Sequence, residues 1–263
     1  MNSFRHRCLL VIIFCLSTSA YATGPRVSPS LISSTSDIYT IKLPPIIDSD
    51  VKHHSYLGDV VNTVLREEKI DAVVSILPLQ NMVKYYLLKD NALAVLSPYL
   101  NLTASQKKEL IIIPIDAVKE SYIYYKPAHP DGLAWKGNLK NLQDLRYGAV
   151  KGEPVKKYQQ AGIEVKKTRI ESLLKKLVAK EVDFIRLPDL TADWFIEQQF
   201  ADEKQSFAKM EIAAGEMQLA IIFNKKHADG PVTAKKFKHG LNELLKKGHF
   251  KQIKEQFFSI NNN

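Results

Sequence analysis

Cysteine is almost missing from this chain. Its 263 residues include two, Cys8 and Cys15, and none follows. Past that point there is no thiol for a disulfide, for thiol catalysis or for cysteine-ligated zinc. Long apolar runs are also lacking beyond the first 22 residues, so nothing there is expected to span a bilayer. No serine sits in a G-x-S-x-G elbow, and there is no H-E-x-x-H pair and no phosphate-binding P-loop. Arginine-rich runs and nucleic-acid motifs are missing too, although the formal net charge is +9. The lysines are scattered along helical patterns, which reads as solvated helix faces rather than a nucleic-acid surface.

What is present begins with a targeting signal. MNSFRHR is basic, CLLVIIFCL is apolar but too short to cross a membrane, and Ala20-Tyr21-Ala22 fits small-x-small cleavage. Residues 1–22 are therefore expected to be removed, leaving Thr23 first and neither cysteine in the mature chain. A lipid anchor would need a small residue before cysteine, but Arg7 precedes Cys8 and Phe14 precedes Cys15. Soluble export to the periplasm is expected. Residues 23–36 are rich in Ser, Pro and Thr and read as a flexible lead-in.

Residues 147–189 organise the remainder. Tyr147-Gly148-Ala149-Val150 is a short apolar run, followed by a Lys151-Gly152-Glu153-Pro154 turn and a basic helical segment to Gln160. Ile163-Glu164-Val165 reads as a strand. Ile170, Leu173, Leu174, Leu177 and Val178 recur at helical spacing, and Val182-Asp183-Phe184-Ile185 is a third strand. Strands and helices alternating this closely predict parallel pairing. Ligands in such sheets bind beyond the carboxyl ends of the strands, here residues 151–153 and 186–189.

Before this stretch, strands are predicted at 38–41, 72–77 and 92–96, with helices from Gly58 and over 82–88. Residues 97–106 read as a loop entering a short helix with Thr103 as N-cap. Two β-rich runs, 111–115 and 121–125, are separated by Asp116–Glu120. Thr191 reads as the N-cap of a helix carrying Trp194, Phe195 and Phe200, and residues 202–209 as a loop. A last strand is predicted at 217–223. A helix then starts at Pro231, Gly248 breaks it, and the helical pattern resumes to the C-terminus. If the chain crosses back near 216–220, an α/β unit of the first half is completed by the C-terminus and the middle is an insert.

Several segments resemble the periplasmic solute-binding proteins of ABC importers, of the polar amino-acid type. Residues 102–110, LTASQKKEL, are similar to that family's I-T-P-E-R-x-x-x-V/F element. Residues 139–150, LKNLQDLRYGAV, resemble L-x-D-L-x-G-K-x-V-G-V, and 177–185, LVAKEVDFI, resemble L-x-x-G-x-V-D-A-V. Residues 219–226, LAIIFNKK, look like the return strand Y-A-I-A-V-x-K-G. The resemblance covers about 38–257. It implies an α/β, two-lobed clamshell of the type II periplasmic-binding-protein kind, each lobe a small mixed sheet flanked by helices. The implied lobes are 37–120 plus 221–263, and 121–220. A small polar solute bridging them, handed to an inner-membrane permease, is the implied function.

Departures from the family pattern bear on the solute. Where the family's Arg pairs with a ligand carboxylate, this chain has the uncharged Gln106, and Glu153 follows Gly152 where Thr is usual. The lost guanidinium and gained carboxylate favour a cationic or polyhydroxylated solute over a plain α-amino acid. Candidate ligand contacts are Tyr99, Asn101, Thr103, Gln106, Glu153 and Asp189. Each also has a structural role open to it: capping for Asn101, Thr103, Gln106 and Asp189, helix-dipole stabilisation for Glu153, core packing for Tyr99, Tyr39 and Tyr56. The adjacent His53 and His54 read as loop residues rather than metal ligands. Asp183 resembles the structural Asp of V-D-A-V. No catalytic residue, cofactor or metal is expected, and a monomer is. Two other roles stay open: a sensory or scaffold module of the same fold, and a dehydratase-like enzyme.

Overall fold

The computed structural model describes residues 37–48, 55–77, 92–97 and 102–261. The predicted helix over 82–88, the His53-His54 pair and the targeting segment lie outside them. In chain order the regular elements are β1 (Asp37–Thr40), α1 (Tyr56–Glu67), β2 (Val73–Ile76), β3 (Ala94–Ser97), α2 (Ala104–Lys108) and β4 (Leu110–Tyr125). Then come β5 (Arg146–Val150), α3 (Lys156–Gln160), β6 (Glu164–Thr168), α4 (Leu173–Val178), β7 (Phe184–Pro188) and α5 (Asp189–Phe200). The last are β8 (Phe207–Lys209), β9 (Gly215–Asn224), α6 (Gly230–Lys246) and α7 (His249–Asn261).

The strands form one mixed sheet in the order β2-β1-β3-β9-β4-β7-β5-β6, with β8 also paired to β4. β1, β2 and β3 are parallel, as are β5, β6 and β7. β9 runs antiparallel to β3 and β4, and β4 antiparallel to β7. The apolar residues collect around the two ends of this sheet. One cluster gathers β1, β3, β9 and the first half of β4 under α1 and α6. At the other end, α4 and α5 cover one face of β7 through Leu173, Leu177, Ile185 and Phe195, while Tyr122, Tyr147, Tyr158 and Phe184 fill the opposite face. The result is two lobes on a shared pair of strands. On β9, Met217, Leu219 and Ala220 already belong to the first cluster.

Local sequence explains most elements. In α1, Tyr56, Leu57, Val60, Val61, Val64 and Leu65 fall on one face and are buried, while Asp59 in the first turn and Arg66 in the last suit the helix dipole. β4 departs from expectation, being one 16-residue strand rather than two runs. Its register slips between Pro114 and Asp116. Pro114 has no amide to give to the ladder, and a bulge is where a strand tolerates that. The strand runs on through Asp116 because that charge is met. Asp116 accepts from the Tyr56 hydroxyl at 2.5 Å and from Lys254 Nζ at 2.7 Å.

Two further expectations need correction. Thr191 is not an N-cap: α5 begins at Asp189 after Pro188, whose extended backbone ends β7, and Thr191 is fully buried inside the helix. Residues 202–209 are not all loop. A 3-10 helix over Ala201–Ser206 leads into β8, where Phe207 is buried against β4. One large apolar side chain pins a segment whose neighbours are polar.

Asp183 joins the start of β7 to β5. Its carboxylate accepts from the Arg146 amide at 2.7 Å and from Arg146 Nε and Nη2 at 2.8 and 2.7 Å. His129 Nε2 lies 3.3 Å from Oδ1. Burial by itself would raise this carboxyl, but the Arg146 fork and amide outweigh it and hold the group below its ordinary value. A depressed pKa contributes stability at neutral pH that is lost as pH falls through it. Asp183→Ala is expected to cost about 3 kcal/mol in urea unfolding at pH 7, since it strands a half-buried guanidinium. Asp183→Asn should cost less, with its deficit shrinking below about pH 4.

Candidate functional site

Because β5 and β7 are parallel, they end on the same edge of the sheet. Beyond β5 the chain turns through Gly152, whose φ of 98° is a conformation side chains disfavour. The turn brings Glu153 back beneath the strand. Its Oε2 accepts from the Val150 amide at 3.2 Å and its Oε1 from the Tyr147 hydroxyl at 2.7 Å. Glu153 is buried.

A tier of aromatic and charged groups extends from it across one face of the sheet. The Tyr147 and Tyr158 rings stack at 4.0 Å between centroids. The Tyr122 hydroxyl lies 3.3 Å from that of Tyr158, which also receives Arg186 Nη1 at 3.4 Å. Arg186 Nη2 in turn meets Glu120 Oε2 at 3.0 Å. Glu120 and Tyr122 alternate on β4 and Phe184 and Arg186 on β7, so all four share this face.

Burial pushes the Glu153 carboxyl up, and the Tyr147 hydroxyl and Arg186 charge offset this only in part. The Tyr147 hydroxyl is driven up by burial and then by the Glu153 charge, and Tyr122 and Tyr158 also rise. Lys157 moves down, through burial and then Arg186. All three tyrosines therefore stay protonated donors at neutral pH. The tier carries two carboxylates against one guanidinium, with Lys157 alongside.

The carboxyl end of β7 is built differently. Asp189 is the first residue of α5, where the helix dipole favours its negative charge. Its Oδ2 lies 3.5 Å from Lys119 Nζ, whereas its buried Oδ1 makes no hydrogen bond to the described residues. The same holds for the Ser121 and Thr191 hydroxyls. Ser121 stands opposite Leu187 in the β4–β7 register, one step from where Glu120 opposes Pro188. A buried polar atom left unused costs about 1–3 kcal/mol, and because Ser121 and Thr191 are fully buried, only the partly exposed Asp189 can turn toward a guest.

Among the expected site residues, Glu153 and Asp189 thus come to one edge of the sheet. Thr103 and Gln106 close on each other instead. The Gln106 amide donates to Thr103 Oγ1 at 3.3 Å and the Thr103 amide to Gln106 Oε1 at 2.8 Å, a capping box on α2. Tyr99 and Asn101 lie outside the described residues. Tyr56 is core, its ring beside Phe250 and Phe257. Sequence reasoning included Arg186 only within the strand end 186–189, without naming it as a contact, and missed Glu120, Tyr147 and Tyr158. Arg186 had a signal: a charge inside the apolar run Phe184-Ile185-Arg186-Leu187 marks one face of the strand as polar.

The raised Glu153 pKa has a definite sign. Stability linked to it is present at low pH and is lost as pH rises through the folded-state pKa. Glu153→Gln still offers a carbonyl and an amide to the Val150 and Tyr147 groups but cannot ionise. Its Tm is expected to gain on the wild type as pH rises from about 4 to 7, by about 2–4 °C per kcal/mol of ionisation cost removed. Parallel Tm-against-pH curves for the two proteins would contradict this.

No protein-family model matches the chain, and no curated protein matches it. Solved structures do. An ancestral arginine-binding protein bound to arginine is 18% identical, with a TM-score of 0.68 over 86% of this chain and 99% of its own. The GluR0 ligand-binding core from Nostoc punctiforme, in complex with L-glutamate, is 15% identical, with a TM-score of 0.67 over 84% of this chain and 98% of its own. An ancestral amino acid-binding protein, a precursor of cyclohexadienyl dehydratase, is 13% identical, with a TM-score of 0.65 over 85% of this chain and 94% of its own. At such identities the likeness concerns architecture: the chain has the type II periplasmic-binding-protein fold, a two-lobed α/β clamshell.

Proposed function

We propose that the protein is an exported solute-binding protein that captures a small polar solute between its lobes and delivers it to an ABC importer in the inner membrane. The lobes are 37–120 with 221–263, and 121–220, and the solute favours the closed form because it touches both. Export follows from the cleavable segment 1–22, and the location is the periplasm. The role is binding, with no chemistry performed on the solute. Similarity to structures that hold arginine or glutamate supports a small, polar, charged or zwitterionic guest.

One observation carries the choice of solute. Asp189 places a carboxylate oxygen, unused by the described residues, at the edge where the parallel strands end. Glu153 is the weaker contact, because both of its oxygens are taken up by its own turn and by Tyr147. Across the cleft, Gln106 carries no charge and is engaged in its capping box, so that position lacks a cation for a ligand carboxylate. Tyr99, Asn101 and Thr103 complete the proposed contacts. The guest is then an amine, a guanidine or a polyol, for which Asp189 accepts the hydrogen bonds.

A second reading keeps the fold and gives up the solute: a sensory or scaffold module with a degenerate cleft, favoured by the same capping box at Gln106. A thermal-shift panel separates the two. Arginine, lysine, diamines or sugars are expected to raise Tm, and aspartate and glutamate are not. Asp189→Asn should weaken the best binder at least about tenfold by calorimetry, the scale of one charge-assisted hydrogen bond. Stabilisation by acidic amino acids alone would overturn the solute class. No shift with any small solute, together with capture of a partner protein, would favour the module.

A further inference from the structure

The lysines that look scattered along the sequence are unevenly placed. Residues 230–263 contain seven lysines and two glutamates, a net +5 out of the chain's +9. With Arg5 and Arg7 set aside, residues 23–229 carry only +2. The excess is centred on α6.

This helix has two distinct sides. Ala234, Phe237, Leu241 and Leu244 are buried in the first apolar cluster. Gly240 brings the helix hard against α1, where an added Cβ would lie 2.5 Å from Glu68 Cγ. The Phe237 ring sits 5.8 Å from that of Phe223 in β9. α6 is therefore held as a rigid platform. Its outward side presents Lys235, Lys236 and Lys238, and none of them has an ion-pair partner among the described residues. Lys246 differs, reaching Glu243 at 2.9 Å. Val232 and Leu245 are 62% and 49% exposed on the same helix, among the most exposed large apolar residues described.

We propose that the outward side of α6 docks on an anionic lipid bilayer. Lys235, Lys236 and Lys238 meet the headgroup phosphates, and Val232, which lies between them around the helix, settles at the interface. Charge complementarity selects this occupant. A protein interface depletes lysine at its centre, and recognition of nucleic acid favours the arginine fork, which α6 lacks. A fluid anionic surface suits flexible ammonium groups whose alkyl stems lie beside exposed aliphatic residues. α6 packs on the first cluster, whereas β5 and β7 end in the other lobe, so docking and solute capture use different elements.

The test is co-sedimentation of purified protein with vesicles of phosphatidylethanolamine and phosphatidylglycerol, against vesicles of phosphatidylcholine alone. The wild type is expected to pellet with the anionic vesicles only, and to be released at about 1 M salt, where screening acts over about 3 Å. Replacing Lys235, Lys236 and Lys238 together by Glu should weaken partitioning at least about a hundredfold, at about fivefold per lysine removed. The milder Lys→Gln set at the same three positions should weaken it by a smaller factor, and it serves if the Glu set lowers Tm. A control set in the other lobe, Lys167→Glu with Lys175→Glu and Lys180→Glu, should leave partitioning nearly unchanged. Equal loss in both sets would show diffuse attraction to net charge and overturn the proposal. So would wild-type binding no stronger to anionic vesicles than to phosphatidylcholine.

Discussion

The pairing of β4 with β9 is the constraint on which the rest of the molecule depends. It runs from Leu110 opposite Asn224 to Glu120 opposite Gly215. Both strands lie inside the sheet, β9 between β3 and β4 and β4 between β9 and β7. Buried backbone amides and carbonyls must be paired, so neither strand can be withdrawn without exposing groups from both lobes. The parallel half-sheets on either side inherit their direction from this central pair. That inheritance puts the carboxyl ends of β5 and β7 on one edge and makes a site there possible.

The bulge at Pro114 and Asp116 shows how the long strand tolerates its own sequence. A proline followed closely by a charged residue would ordinarily end a central strand. Here the slip removes the need for a proline amide, and Tyr56 and Lys254 supply donors to Asp116. Burial would raise this carboxyl, but Lys254 and Tyr56 outweigh it and hold it below the ordinary aspartate value. A feature that looks like an interruption is a junction tying α1 and α7 to the crossing strand.

In the other lobe two kinds of charge burial stand side by side. Asp183 is surrounded by donors and favoured as an anion, which suits a fixed structural joint. Glu153 is disfavoured as an anion despite Tyr147 and Arg186. Burial wins there because one hydroxyl, the Val150 amide and a guanidinium shared with Glu120 do not repay the loss of water. Asp189 is a third case, a carboxylate with one oxygen near Lys119 and one unused by the described residues. Only the last has an oxygen left unused by the described residues, which is why it ranks above Glu153 among the proposed contacts.

Much was legible in the sequence because it is local. Hydrophobic periodicity marked α1, α4 and α6, and short apolar runs marked β1, β2, β3, β5, β7 and β9. Thr103 was legible as a cap because S/T-x-x-Q is itself the chemistry of the turn. The alternation of strands and helices over 147–189 determined parallel pairing, and with it the expectation of a site at 151–153 and 186–189. What only the tertiary structure decided depends on partners distant in the chain. Two runs became one β4 because β9 lies alongside. Thr191 became core because Pro188 starts the helix earlier. Gln106 proved to be committed to its cap, and Arg186 and Glu120, 66 positions apart by number, proved to be an ion pair. Sequence spacing sets which face a side chain takes on its own element, but whether that face meets an apolar wall, an opposite charge or an open edge is set by strands brought together across the fold.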